Sequence, residues 1–162
     1  MSSNIIKKHA FKQVWEQSQF VLPISDKRSY RGLKLTNDLT ALVISDPTTD
    51  RSAAALDVHV GYLQDPEKLP GLAHFLEHML FMGTEKYPGE DDYQDFVTGK
   101  GGYTNAYTDT DHTNYYFEIT PDGLQSGFAK TWESVRKWLK MTKIDLFRPK
   151  ITQMTCFDPK TT

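Results

Sequence analysis

Two histidines and a glutamate stand at H-x-x-E-H spacing inside one short apolar run, Gly71-Leu-Ala-His-Phe-Leu-Glu-His-Met-Leu-Phe-Met-Gly83. Residues four apart on an α-helix lie one above the other on the same face. A helix here therefore brings the imidazoles of His74 and His78 together and leaves the carboxylate of Glu77 beside them. No other segment of the chain constrains the local structure so closely.

The residues that flank this run predict where the helix begins and ends. Pro70 and Gly71 precede the apolar periodic segment, and Gly83 is well suited to end a helix, so we expect a helix over about residues 69–82. The periodicity predicts two faces. Phe75, Leu76, Met79 and Leu80 are expected to face the core, and His74, Glu77, His78 and Phe81 are expected to share the other face.

This combination of side chains is typical of a zinc site. A catalytic zinc ion needs about three protein ligands, an open position for water, and a carboxylate that takes the proton of that water. His74 and His78 supply two ligands and Glu77 supplies the base, so a third ligand must come from elsewhere. The competing interpretation is two surface histidines on a helix that packs against a core.

The residues around the motif resemble a known family. H-x-x-E-H is the order found in inverted zincins, and the segment from Leu69 to Pro88 closely resembles the insulin-degrading enzyme branch of the pitrilysin metallopeptidases. The likeness covers residues 25–130. It includes Lys27-Arg-Ser-Tyr-Arg-Gly-Leu33, Ile44-Ser-Asp-Pro-Thr-Thr-Asp50, Asn105-Ala-Tyr-Thr108 and His112-Thr-Asn-Tyr-Tyr-Phe117.

The resemblance implies a zinc-dependent metalloendopeptidase and a role for each matching residue. His74 and His78 would bind Zn2+, and Glu77 would be the catalytic base. A peptide substrate would bind as an added β-strand along an edge strand that contains Asn105 and Ala106, with backbone hydrogen bonds supplying affinity. Phe81 would line a pocket for an apolar or aromatic substrate side chain.

The third zinc ligand is not found in the sequence. Family members take it from a glutamate on a later helix, with another glutamate a few residues before it. A gapless continuation places these two near Thr155 and Arg148, and neither is acidic. Three explanations stay open: the chain is a truncated or mis-spliced product, Asp158 or Glu133 is a substitute ligand, or the chain is an inactive relative that keeps a zinc-like motif.

The sequence predicts an α+β fold in which helices pack on one face of an antiparallel-rich sheet, as a partial N-terminal domain of a pitrilysin-type peptidase. We divide the chain into an N-terminal extension (1–24), an incomplete pitrilysin-like peptidase domain (25–130) and a divergent C-terminal tail (131–162). Strands are expected at 29–35, 40–46, 53–63, 102–107 and 113–119, and further helices at 91–100 and from Thr120-Pro121 onward.

His112 and Tyr115 invite a catalytic interpretation, because histidine and tyrosine can stabilise transition states in zinc peptidases. However, the run Thr113-Asn-Tyr-Tyr-Phe117 has the pattern of a strand whose alternate residues face the core. We therefore expect both residues to be structural.

Composition narrows the class of protein. In 162 residues, 38% are hydrophobic and 25% charged, which is ordinary for a soluble globular domain. The net charge of −2 and the lack of a basic cluster argue against nucleic-acid binding. No apolar run reaches transmembrane length and no signal-peptide core is found, so no membrane partner is expected. A single cysteine, Cys156, fits a reducing compartment, and we expect a cytoplasmic location.

Three function classes follow from the sequence. The first is a zinc endopeptidase, expected to be weak or inactive as this isolated chain because its third ligand is missing, unless a complementary half-enzyme chain supplies it. The second is a non-catalytic peptide-binding or regulatory module. The third is a truncated, non-functional product.

Overall fold

A computed structural model describes residues 11–141 and 151–158, with side chains up to residue 135. Within these residues the chain forms one seven-stranded sheet and three α-helices. The strands are β1 (Phe11–Trp15), β2 (Ser29–Leu35), β3 (Thr40–Ser45), β4 (Ser52–Val58), β5 (Tyr103–Thr108), β6 (Thr113–Ile119) and β7 (Ile151–Asp158), and the helices are α1 (Leu72–Met79), α2 (Asp92–Gly99) and α3 (Leu124–Met141). No helix among the described residues is long and apolar enough to cross a membrane.

All three helices pack on the same face of the sheet. Side chains along β4 and β6 alternate between buried and half-buried, as residues on opposite faces of a strand do. Two clusters lie between sheet and helices. One joins Leu56, Val58, Val60 and Tyr115 to Ala73, Leu80 and Val135, and the other joins Ala54, Phe117 and Ile119 to Val97 and Leu124. The predicted α+β arrangement, including the alternation over 113–117, is confirmed.

The sheet order is β1-β2-β3-β7-β4-β6-β5, so β7 lies between two strands that follow each other in the chain. It pairs parallel to β3 and antiparallel to β4. Because β3 and β4 are not paired with each other, the backbone groups on their facing edges are bonded through β7. Part of the predicted tail is thus a central strand, and part of the predicted extension, β1, pairs with β2. The domain boundaries themselves stay a prediction.

The face of α1 that meets the core differs from the sequence prediction. Phe75 and Met79 were expected in the core but are 60% and 44% exposed, whereas Glu77 is only 7% exposed. Ala73 and Leu80 are the buried apolar residues of this segment. The prediction was wrong because apolar residues cover more than half of the circumference of the motif helix, so its periodicity alone does not select the face that packs against the sheet.

Proline at position 155 tests whether β7 contributes to the stability of the domain. Thr155 lies in the middle of β7 and is paired with Leu42 on one side and Ala55 on the other. Thr155→Pro removes a backbone donor from a central strand, so we expect the free energy of unfolding, measured by urea denaturation, to fall by roughly 2–4 kcal/mol.

Lys12→Pro is the control for this variant. Lys12 lies at the irregular position between Phe11 and Gln13 of the edge strand β1, where proline is tolerated. We expect it to change the free energy of unfolding by less than about 1 kcal/mol. Equal losses in the two variants, or no loss in Thr155→Pro, would contradict a structural role for β7.

Candidate metal centre and active site

Helix α1 begins at a glycine and is capped by a carboxylate six residues upstream. Gly71 has φ +87°, a left-handed conformation that glycine adopts without strain. The Asp65 carboxylate accepts hydrogen bonds from the backbone N–H of Gly71 (2.6 Å) and of Ala73 (2.8 Å). It thereby satisfies free donors of the first turn and complements the positive end of the helix. The role of Asp65 was not predicted from the sequence, because six residues is not the spacing of an ordinary N-cap.

The connection between β4 and α1 is fixed to the turn between β5 and β6. The N–H of Tyr62 donates to the carbonyl of Asp109 (3.0 Å), and the N–H of Leu63 donates to the carbonyl of Thr110 (2.8 Å). Gly61 makes this approach possible, since a Cβ there would lie 2.1 Å from the Asp109 oxygen. These contacts hold the motif helix over the end of the hairpin.

The two motif histidines converge on the exposed side of α1. Their Nε2 atoms are 3.2 Å apart, and their ring centroids are 4.8 Å apart. Tetrahedral zinc with Zn–N bonds of about 2.0–2.1 Å places two nitrogen ligands about 3.3 Å apart. The positions of His74 and His78 therefore suit two ligands of one zinc ion.

A complete ligand set is not found in the described part of the chain. Within it, no group of three or more His, Cys, Asp or Glu side chains could hold a metal ion, so Glu133 is not brought to the two histidines. Asp158 ends β7 opposite Ser45, whereas the other end of β7 pairs with Val58, close to α1. By register, Asp158 lies roughly 20 Å along the strand from that end.

Glu77 is buried where α1 meets the hairpin of β5 and β6, and one of its carboxylate oxygens accepts a hydrogen bond from the hairpin. Its Oε2 accepts a 2.5 Å hydrogen bond from Oγ1 of Thr108, the last residue of β5. Tyr115 is buried nearby, and the pKa of its phenol is raised well above the usual range, first by burial and then by the charge of Glu77. Tyr115 is therefore neutral. The role of Thr108 was not predicted from the sequence, since nothing in its local pattern indicates a contact 31 residues away.

Strand β5 has a free edge next to α1. The N–H of Asp109 donates to the carbonyl of His112 (2.8 Å), which makes these two residues a hydrogen-bonded pair. Hydrogen-bonded pairs recur at every second residue of an antiparallel ladder. Asn105, four residues before Asp109, therefore also belongs to such a pair and directs its backbone groups toward β6. Thr104, Ala106 and Thr108 direct theirs outward. The N–H of Ala106 is bonded to the Asn105 side-chain oxygen at 2.9 Å.

Phe81 follows α1 and lies half-buried, with its ring 6.3 Å from that of Tyr93. It borders a small cleft between the helices and the sheet. The cleft is also lined by Leu80, Tyr93, Thr104, Tyr115, Thr131, Ser134 and Val135. Phe81 thus lies on the same side of the sheet as the motif helix, and its contact with a substrate side chain stays a prediction.

His112 lies at the hairpin turn, where its contacts are with neighbours on the hairpin. Its Nδ1 is 2.8 Å from Oδ1 of Asp111, and this bond raises the pKa of the imidazole above its ordinary value. Its ring is nearly perpendicular to that of Tyr107, with the ring centroids 5.7 Å apart. These contacts agree with the structural role that we expect for it.

Comparison with known proteins places the chain in a family. Residues 40–146, more than half of the chain, match the family described as Insulinase (Peptidase family M16). The chain belongs to peptidase family M16. This confirms the family that the sequence motifs indicated.

Relatives in the family carry peptidase names. Insulin-degrading enzyme of Mus musculus is 54% identical over 114 residues, which cover 70% of this chain and 11% of that protein. "Putative zinc protease C28F5.4" of Caenorhabditis elegans is 59% identical over 99 residues, covering 61% of this chain and 12% of the relative. The chain therefore spans about a tenth of the length of the curated relatives that it matches.

Solved structures support the fold. The crystal structure of pitrilysin matches with a TM-score of 0.71 and 32% identity, covering 82% of this chain and 14% of pitrilysin. A protease from Helicobacter pylori matches with a TM-score of 0.59 and 24% identity, covering 65% of this chain and 25% of that one, and this likeness concerns the fold alone. The α+β architecture of the described residues is thus that of part of a pitrilysin-type domain.

Proposed function

We propose that this chain contributes the metal-binding helix and the peptide-binding edge strand of a zinc metalloendopeptidase. One observation carries the proposal: the Nε2 atoms of His74 and His78 lie 3.2 Å apart, beside a buried Glu77 that is bonded to the edge strand β5. The residues proposed as metal ligands and base therefore lie beside the strand proposed to bind the peptide. Membership of peptidase family M16 supports the same reaction class.

In this proposal His74 and His78 bind Zn2+ through Nε2. When bound, the ion supplies a Lewis acid that polarises a peptide carbonyl and lowers the pKa of a water molecule. The third ligand comes from outside the described residues, and a complementary half-enzyme chain is a partner that could provide it. We also propose a cytoplasmic location, which the single Cys156 supports.

The substrate in this proposal is an extended peptide that binds along the outer edge of β5. The outward N–H and C=O groups of Thr104, Ala106 and Thr108 would form the backbone hydrogen bonds. The N–H of Ala106 would exchange its bond with the Asn105 side chain for one with a peptide carbonyl, which frees the Asn105 amide for a further contact. Phe81 would contact an apolar side chain of the peptide.

Glu77 is the catalytic base in this scheme. Its carboxylate takes the proton of the attacking water and later gives a proton to the leaving amine. Burial and the bond from Thr108 fix the orientation of the carboxylate before the peptide arrives. Little reorganisation is then needed during the reaction.

A second candidate is a peptide-binding module that does not cleave. The observation in its favour is that no three-ligand metal group exists among the described side chains. In that case the edge of β5 would bind peptides while His74, Glu77 and His78 stayed catalytically silent. Binding without cleavage would distinguish this candidate from the first.

Glu77→Gln tests the peptidase. We expect the chain with added Zn2+ to cleave an unstructured fluorogenic peptide slowly, and a chelator to abolish the cleavage. Because the amide cannot accept the proton, Glu77→Gln should lower kcat/KM by about 10²–10⁴-fold. Glutamine can still accept the hydrogen bond from Thr108, so the thermal unfolding midpoint should change little.

The exposed Glu67, just before α1, offers a matched control, and Glu67→Gln should cleave like the wild type. Cleavage that survives Glu77→Gln, or that survives the chelator, would contradict the proposed peptidase. If the wild type binds the peptide but never cleaves it, either alone or with a complementary half-enzyme chain, the second candidate is correct for this chain.

Ala106→Pro tests the peptide-binding edge. Proline removes an N–H that points away from β6, a position where an edge strand tolerates it. Loss of one backbone hydrogen bond of about 1–1.5 kcal/mol should weaken peptide binding, measured by fluorescence anisotropy, by roughly 10-fold. Ala106→Ser keeps the N–H and should bind like the wild type. Equal affinity in the proline variant would mean that the peptide binds elsewhere.

A further inference from the structure

We propose that Thr108 is a positioning residue, whose hydroxyl holds the Glu77 carboxylate in its catalytic orientation while its backbone borders the peptide. This inference rests on the proposed function, because it gives Glu77 the role of base. Thr108 ends β5, and its side chain lies on the same face of the sheet as α1. The side chain of Thr108 thus contacts Glu77, and its backbone belongs to the free edge of β5.

The hydrogen bonds around Thr108 assign its proton to Glu77. Thr113 lies directly opposite on β6, and its hydroxyl donates to the carbonyl of Val60 at 2.8 Å. The two threonine hydroxyl oxygens are 3.4 Å apart. A hydroxyl has a single proton to donate. With the Thr113 proton bonded to Val60, the Thr108 proton is left for Glu77 Oε2.

The hydrogen bond from Thr108 stabilises the buried carboxylate of Glu77 and fixes its orientation. A buried carboxylate is costly unless it accepts hydrogen bonds, and bonds to charged acceptors are the strong ones. Within the described side chains, Thr108 is the donor to Glu77. Because Oε2 is bonded to Thr108, Oε1 is left to exchange a proton with water. Loss of the hydroxyl would leave the carboxylate free to rotate.

The backbone of Thr108, whose side chain bonds Glu77, is also part of the free edge of β5 that is proposed to bind the peptide. Its N–H and C=O point outward from β5, as those of Ala106 do. A peptide that pairs with β5 up to this residue would immobilise the end of the strand. Immobilising Thr108 also immobilises the hydroxyl that orients Glu77. Peptide binding and orientation of the base are therefore linked through one residue.

The test compares Thr108→Val, which keeps the branched shape and removes the hydroxyl, with Thr108→Ser, which keeps the hydroxyl. In the full chain labelled with 13C-glutamate, the side-chain carboxyl resonance of Glu77 is assigned by its loss in Glu77→Gln. At one fixed pH, we expect this resonance to move in Thr108→Val and to stay near its wild-type position in Thr108→Ser.

Thr104→Val is the matched control for this measurement. Thr104 lies on the same face of β5, but its hydroxyl bonds to Tyr93 and to the carbonyl of Tyr116 rather than to Glu77. The Glu77 resonance should therefore not move in this variant. A resonance that is unchanged in Thr108→Val, or that moves equally in Thr104→Val, would overturn the inference.

Kinetics supply the second readout. Thr108→Val should lower kcat for the peptide by about 10–100-fold, the usual cost of losing a partner that orients a site residue, with KM little changed. Thr108→Ser should restore most of kcat. An unchanged kcat, or a change confined to KM, would overturn the positioning role. If the wild type cleaves nothing, the proposed peptidase fails for this chain, while the resonance still decides whether Thr108 holds Glu77.

Discussion

The packing of α1 against the end of the β5–β6 hairpin determines what each residue of the H-x-x-E-H motif can do. Helical spacing alone makes His74 and His78 neighbours, but it does not decide which of the three motif side chains is buried. The hydrogen bond from Thr108 to Glu77 joins α1 to β5, and Asp65 caps the start of the helix. As a result the carboxylate is buried and held, while the two imidazoles face outward together, where a metal ion and a peptide can reach them.

The sheet beneath this site depends on strands that are distant in sequence. Strand β7 separates β3 from β4 and is paired with both, so residues 151–158 belong to the same sheet that positions the hairpin. The match to peptidase family M16 ends at residue 146, before this strand. Residues 151–158, which include Thr155 where one of the two glutamates was expected, form a central strand of this sheet.

The sequence predicted the features that depend on local pattern. The motif helix, the hairpin of β5 and β6, and the convergence of His74 and His78 follow from spacing, alternation and flanking glycines. It misassigned Phe75 and Met79, because apolar residues cover more than half of the motif helix and do not indicate which part of that surface is buried. The roles of Asp65 and Thr108 could not be predicted, because each depends on two segments meeting in the fold, and no spacing rule connects them.

In the proposed function His74 and His78 are two ligands of a zinc site, and the amount of zinc bound per chain at equilibrium measures this property. Dialysis against Zn2+ should leave about one ion on the wild type, bound more weakly than by a three-ligand site, and none on His78→Ala. His59→Ala, at an exposed histidine just after β4, should bind as the wild type does. Equal zinc on the wild type and His78→Ala, or none on the wild type, would mean that His74 and His78 are not zinc ligands.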